Sequence, residues 1–209
     1  MFQYSAENKQ KITNSLSGER LSTYLKAENN DLENALELYL KNIEYSAVFF
    51  LPIQGLEVTL RNSLNNTISD FDNKEDWFDN IPINYGAKKI IKNAKKSVKK
   101  TQKNPKNSHL IAELPFGFWL SLLNKEYHQK LWIPYLHKSF PNAKKGRAEI
   151  HGHLDHIRLF RNRIAHHEPI FSRHLEQDYK SIILALEWVC PETAEWINEH
   201  SKVLETLKP

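Results

Sequence analysis

The chain has 209 residues, with 29 Lys and Arg against 25 Asp and Glu, 10 His and a formal net charge of +4. At 40% hydrophobic residues it can bury one core. A single Cys and only 6 Gly exclude an internal disulfide framework, a Cys-based zinc site and a glycine-rich phosphate loop. The longest apolar runs, Ser46 to Ile53 and Ile182 to Val189, are far too short to span a bilayer, and MFQYSAENKQ lacks the apolar stretch of a secretion signal. A cytoplasmic protein with no membrane partner is expected.

Residues 1–18 are polar and weakly patterned, which predicts a flexible, frayed N-terminus before a single domain over 19–209. From Asp31 onward, Leu32, Leu36, Tyr39 or Leu40, Ile43 and Ala47 recur at the helical period, with Asn30 or Asp31 as N-cap. Pro52 starts or kinks the next helix, whose face carries Leu56, Leu60, Leu64 and Ile68. Phe71 to Pro82 reads as a loop. A basic insertion follows over 86–109, with nine lysines and no acid, leaving the rest of the chain net acidic. Within it Ile90, Ala94 and Val98 predict the buried stripe of a lysine-rich helix.

Leu114 to Leu123 is aromatic and apolar, a core element containing Phe116, Phe118 and Trp119; Trp132 reads as core as well. Arg147 to His166 reads as a helix buried through Ile150, Leu154, Ile157, Phe160 or Arg161, and Ile164. Pro169 ends it near His167, because a residue before proline is disfavoured in helix. Leu175 to Cys190 is a last long helix, and Glu192 to Leu207 a short helical tail packed through Trp188 and Trp196. With no strand series, the class is all-α, a helical bundle with a lysine-rich arm or helix.

The stretch Arg161-Asn162-Arg163-Ile164-Ala165-His166-His167-Glu168-Pro169 places an arginine and a histidine at a helix end with four residues between them. A guanidinium binds phosphate oxygens and an imidazole moves a proton near neutral pH, so the pair suits metal-free chemistry on a phosphodiester. The helix C-terminus favours imidazolium, and Asn162 lies one turn before His166, where its amide can orient the ring. On an ideal helix Arg161 and His166 point about 140° apart and do not easily grip one phosphate from a single helix, whereas two copies facing across a two-fold axis would bring both pairs into one cleft. His167 competes for the histidine role, and Arg147 with His153 is a second match to the spacing. The plain alternative makes Arg161 a cap on the bundle core and both histidines surface residues.

RNRIAHHEPIF (Arg161 to Phe171) resembles the signature of the HEPN superfamily, and more narrowly its bacterial abortive-infection, Abi-like, branch. LEVTLRNSLNNTI (Leu56 to Ile68), AELPFGFWLSLL (Ala112 to Leu123) and ALEWVCPETAEWI (Ala185 to Ile197) are similar to that branch too. The resemblance implies a HEPN-like bundle, a homodimer, and a metal-independent endoribonuclease of phage defence or toxin-like growth control that needs no cofactor. It maps Arg161, Asn162 and His166 onto the catalytic motif, with an antitoxin or regulatory RNA as possible partners. Some families of this fold bind RNA or protein without cutting, which is the alternative function.

Three further features bear on function. Glu57 and Arg61 lie four apart, either as an exposed i,i+4 ion pair or with Arg61-Asn62 joining the cleft from a second helix. Lys88, Lys89, Lys92, Lys95, Lys96, Lys99, Lys100 and Lys103 suit the RNA backbone, which binds without sequence preference and with strong salt dependence, or simply solvate a helix. His151-Gly152-His153-Leu154-Asp155-His156 matches the H-x-H-x-D-H pattern of dinuclear zinc hydrolases. Its helical surroundings argue against that site, and no metal ligand is expected.

Overall fold

The computed structural model describes residues 4–72 and 77–208, and all regular structure in them is helical. The helices are α1 (Ala6–Leu16), α2 (Gly18–Ala27), α3 (Leu32–Val48), α4 (Phe50–Asp72), α5 (Tyr85–Thr101), α6 (Asn107–Glu113), α7 (Phe116–Ser121), α8 (Arg147–Ala165), α9 (Leu175–Val189), α10 (Pro191–His200) and α11 (Val203–Thr206). Short 3-10 and π turns fill much of the stretch between α7 and α8.

The centre of the molecule is α4 packed on α9, with α10 across both. The α4 stripe behaves as its period demands: Leu56, Leu60, Leu64 and Ile68 are all buried. Pro52 stands in the first turn of α4, where its missing N–H costs nothing, and α3 stops just before at Val48. Ser139 ties the turn segment to α4, donating to Thr67 Oγ1 at 2.9 Å while its carbonyl accepts from Ser63 Oγ at 3.1 Å. The aromatic element is core, with Phe116, Phe118, Trp119 and Trp132 all buried.

Several expectations change. Residues 6–16, read as frayed, form a helix capped by Ser5, although none of its side chains is buried. On α3 the inward face is Ala35, Leu36 and Asn42, while Leu40 and Ile43 are each 48% exposed. A buried asparagine had displaced the apolar stripe that periodicity alone selects. On α5 the buried row is Ala87, Ile91, Ala94 and Val98, and Ile90 turns out toward solvent. On α8 Ile150, Leu154, Ile157 and Phe160 are buried, but Arg161 and Ile164 lie at the rim. Trp188 is core, whereas Trp196 is 57% exposed and rests on His200. Within the expected loop, α4 extends to Asp72 and Trp77–Asp79 is a 3-10 turn; residues 73–76 lie outside the described residues.

Gly55 sets the approach of α10. A Cβ there would come within 2.8 Å of Ile197 Cδ1 and 3.0 Å of its Cγ1, and Ile197 is fully packed. Gly55→Val is expected to lower stability by about 1–3 kcal/mol through overpacking. An unshifted urea unfolding midpoint contradicts this contact.

Candidate functional site

The helix carrying the Arg–His motif ends in a turn whose bonds account for its shape. Helix α8 closes at Ala165 with His166 as C-cap. His167 follows with φ of 57°, the left-handed region, and its N–H donates to the Ile164 carbonyl at 3.0 Å. Glu168 N–H donates to the Arg163 carbonyl at 2.8 Å. These two bonds make a Schellman motif, with histidine where glycine is usual. Asn162 contributes through its backbone: its carbonyl accepts from His166 N–H at 2.9 Å. Its side chain makes no hydrogen bond to the imidazole among the described residues, so the ring-orienting role expected for the amide is not seen.

Three side chains hold the turn, two of them from other helices. Asn42, buried on α3, accepts from Ile170 N–H at 2.6 Å and Phe171 N–H at 3.2 Å. Arg20 on α2 donates to the His167 carbonyl at 2.8 Å. Arg163 donates to the Pro169 carbonyl at 3.1 Å and faces Glu168 at 3.5 Å. Beside them Tyr24 packs on Phe171 with ring centroids 5.3 Å apart, and burial, then Tyr39, pushes its phenol up to about 12. Arg20 and Asn42 were not legible as site residues. The only signal was a polar residue, Asn42, within an otherwise apolar helical period.

Arg161 turns the other way, toward α4. Its Nε donates to Glu57 Oε1 at 2.7 Å, with the arginine side chain 38% and the glutamate 26% exposed. Glu57 therefore does not pair with Arg61 along its own helix. Arg61 Nε instead donates to Asn62 Oδ1 at 3.3 Å. Holding Arg161 by Nε leaves both terminal nitrogens without a protein partner among the described residues, and those form the fork that grips phosphate oxygens. His166 and His167 are exposed, and neither ring makes a hydrogen bond among the described residues. Among the described residues no hydrogen bond or ion pair joins Arg161 to either histidine; Arg161 pairs with Glu57 on α4 and both histidines are exposed.

The histidine-rich run sits inside α8, and His153, Asp155 and His156 each have a partner. His153 Nε2 lies 2.8 Å from the Ser181 carbonyl and its ring packs on Trp188. His156 Nε2 lies 3.3 Å from Asp178, which Arg173 grips with two hydrogen bonds. Asp155 accepts from Arg158 at 2.8 Å. Among the described residues no three His, Cys, Asp or Glu side chains are grouped to share a metal ion.

The lysine tract forms α5 and the start of the following linker, with every lysine from Lys88 to Lys106 exposed except the half-buried Lys95. It lies on α6 and α7, away from the α8 turn in sequence and packing.

Comparison with models of known families, with curated proteins and with solved structures finds no match to this chain.

Asn42→Ala strands the buried Ile170 N–H and is expected to cost about 1–3 kcal/mol. His167→Gly relieves the left-handed residue and is expected to raise stability by up to about 1 kcal/mol. Chemical denaturation of both variants checks the turn; equal stability of Asn42→Ala and the parent contradicts it.

Proposed function

We propose that this chain is a metal-independent endoribonuclease of the HEPN, Abi-like type, with a HEPN-like bundle, working as a cytoplasmic homodimer in phage defence or toxin-like growth control. The observation that carries the reading is the Arg161 guanidinium. Glu57 fixes it through Nε, its terminal nitrogens have no protein partner among the described residues, and it lies on the last turns of a helix that ends in an exposed histidine.

The reaction begins with attack of a ribose 2′-oxygen on the adjacent phosphorus. The O2′–P bond forms and the P–O5′ bond breaks. A neutral His166 takes the 2′ proton, and a protonated His166 from the second subunit gives one to the departing 5′ oxygen. Arg161 stabilises the charge that builds on the phosphorane oxygens. Products are a 2′,3′-cyclic phosphate and a 5′-hydroxyl, and DNA, lacking the nucleophile, is inert.

The two-copy arrangement follows from the divergence of Arg161 and His166 on one helix. The outward face of α8 offers a seam for it: Leu159, 52% exposed, shares that face with Asn162 and His166 at steps of three and seven residues. Arg61 and Asn62, one turn along α4 from Glu57, stand where they can steady the RNA beside Arg161. His167 serves the turn through its backbone, which favours His166 as the proton carrier.

The second reading is a non-catalytic RNA-binding or protein-interaction module of the same fold, held by an antitoxin or regulatory RNA. The Glu57 carboxylate favours it, since it offsets the charge that Arg161 brings to phosphate.

Cleavage of RNA in excess EDTA separates the two. The parent is expected to cut, while Arg161→Ala and His166→Ala each lose about 10²–10⁴-fold in rate. Unchanged cutting by either variant, or cutting that EDTA abolishes, contradicts the proposal.

A further inference from the structure

The eight lysines read from the tract are not equivalent once folded. Taking the buried row Ala87, Ile91, Ala94 and Val98 as the inside of α5, Lys88, Lys92, Lys95, Lys96 and Lys99 fall within one arc of about 100°. The opposite flank is neutral, with Ile90, Asn93, Ser97 and Thr101. The five clustered lysines form one wall of a groove of about 420 Å³. Phe78 and Asp79, from the 3-10 turn before the helix, form the other, and Ile91 joins the lining. Lys89, Lys100 and Lys103 line no part of it.

Charge and spacing in the groove are those of a polyanion track. Lys95 is tied to Asp79 at 2.9 Å, and the other four groove lysines make no ion pair among the described residues. Lys88 to Lys99 spans eleven residues, about 16 Å along the axis, with a cation or a pair of cations at each helical turn of about 5.4 Å. That repeat is near the separation of successive phosphates along an extended nucleic-acid strand. A cavity of this size suits a small ligand or a stretch of one strand. A double helix, which carries a second strand and presents its phosphates on a rigid, far wider body, cannot sink into it.

We propose that this groove is a track for single-stranded RNA, taking three or four successive phosphates on Lys88, Lys92, Lys96 and Lys99 and excluding duplex. The proposal rests on the reading that RNA is the ligand of this chain. It adds the strandedness of the substrate and separates the groove lysines from the rest of the tract. Asp79 is the one acid in the groove. It holds Lys95 back and repels a backbone, so its removal is expected to strengthen binding.

The test uses the full chain carrying His166→Ala, with labelled oligouridylate, its duplex with oligoadenylate, and polyglutamate as probes, over a range of salt. Single strand is expected to bind at least tenfold more tightly than duplex. The quadruple variant Lys88→Gln, Lys92→Gln, Lys96→Gln, Lys99→Gln is expected to flatten the plot of log K against log salt by about 3, from roughly 0.7 per phosphate contact on a single strand. Asp79→Asn is expected to tighten binding and steepen the slope. Equal binding of duplex, an unaltered slope in the folded quadruple variant, or preference for polyglutamate overturns the proposal. Cleavage by the parent with an unaltered slope removes the groove and spares the nuclease. Groove-dependent binding of single strand without cleavage does the reverse.

Discussion

The structure around the motif depends on one side-chain amide. Asn42 accepts two backbone N–H groups from the segment that leaves the α8 turn, and one of those residues, Ile170, is completely buried. A buried N–H without a partner costs about 1–3 kcal/mol, so the chain after Pro169 is committed to the α3 surface. That commitment forces the direction change at His167, which accepts a left-handed backbone to make it. Arg20 and Tyr24 from α2 close the same turn from the other side. His166 is thereby placed on a fixed helix end and not on a loose loop, with its ring in solvent.

The second constraint works on the far flank of the same helix. Glu57 bridges α4 to α8 through Arg161 at 2.7 Å, with both side chains part-exposed. A pair in that setting adds little to stability, because side-chain entropy and solvent screening offset most of its attraction. Its effect is on orientation: a guanidinium held at Nε presents its remaining fork in one direction. Gly55, two residues earlier, lets α10 press on α4. Packing, turn and ion pair thus act together on one short helical segment from opposite sides.

Much of the fold was legible because the strongest helices obey a single period. The α4 stripe, the aromatic element from Phe116 and the α8 core face follow from spacing alone. Where the pattern misled, a particular residue explains it. Asn42 is polar but inward because it serves another segment's backbone, so α3 buries the face beside the one the leucines suggested. On α5 both Ile90 and Ile91 fit a helical stripe, and Ala87, which periodicity undervalues, decides for Ile91. For the site, the Arg161–His166 spacing was visible, but the pairing of Arg161 with Glu57 across 104 residues of chain was not. Sequence offered Arg61 as the nearer partner. The division of the lysines into groove and non-groove sets likewise needs the position of Phe78 and Asp79, which no local pattern supplies.

The proposed chemistry asks two imidazoles to serve one phosphodiester, one taking a proton and one giving it. Dimers that pair one parent chain with one His166→Ala chain, isolated through two different tags, test that claim most directly. If each cut needs a His166 from both subunits, the mixed dimer falls by at least about 10²-fold in RNA cleavage, as the loss of one proton-transfer group requires. A mixed dimer that keeps about half the parent rate shows each chain acting alone and contradicts the shared site.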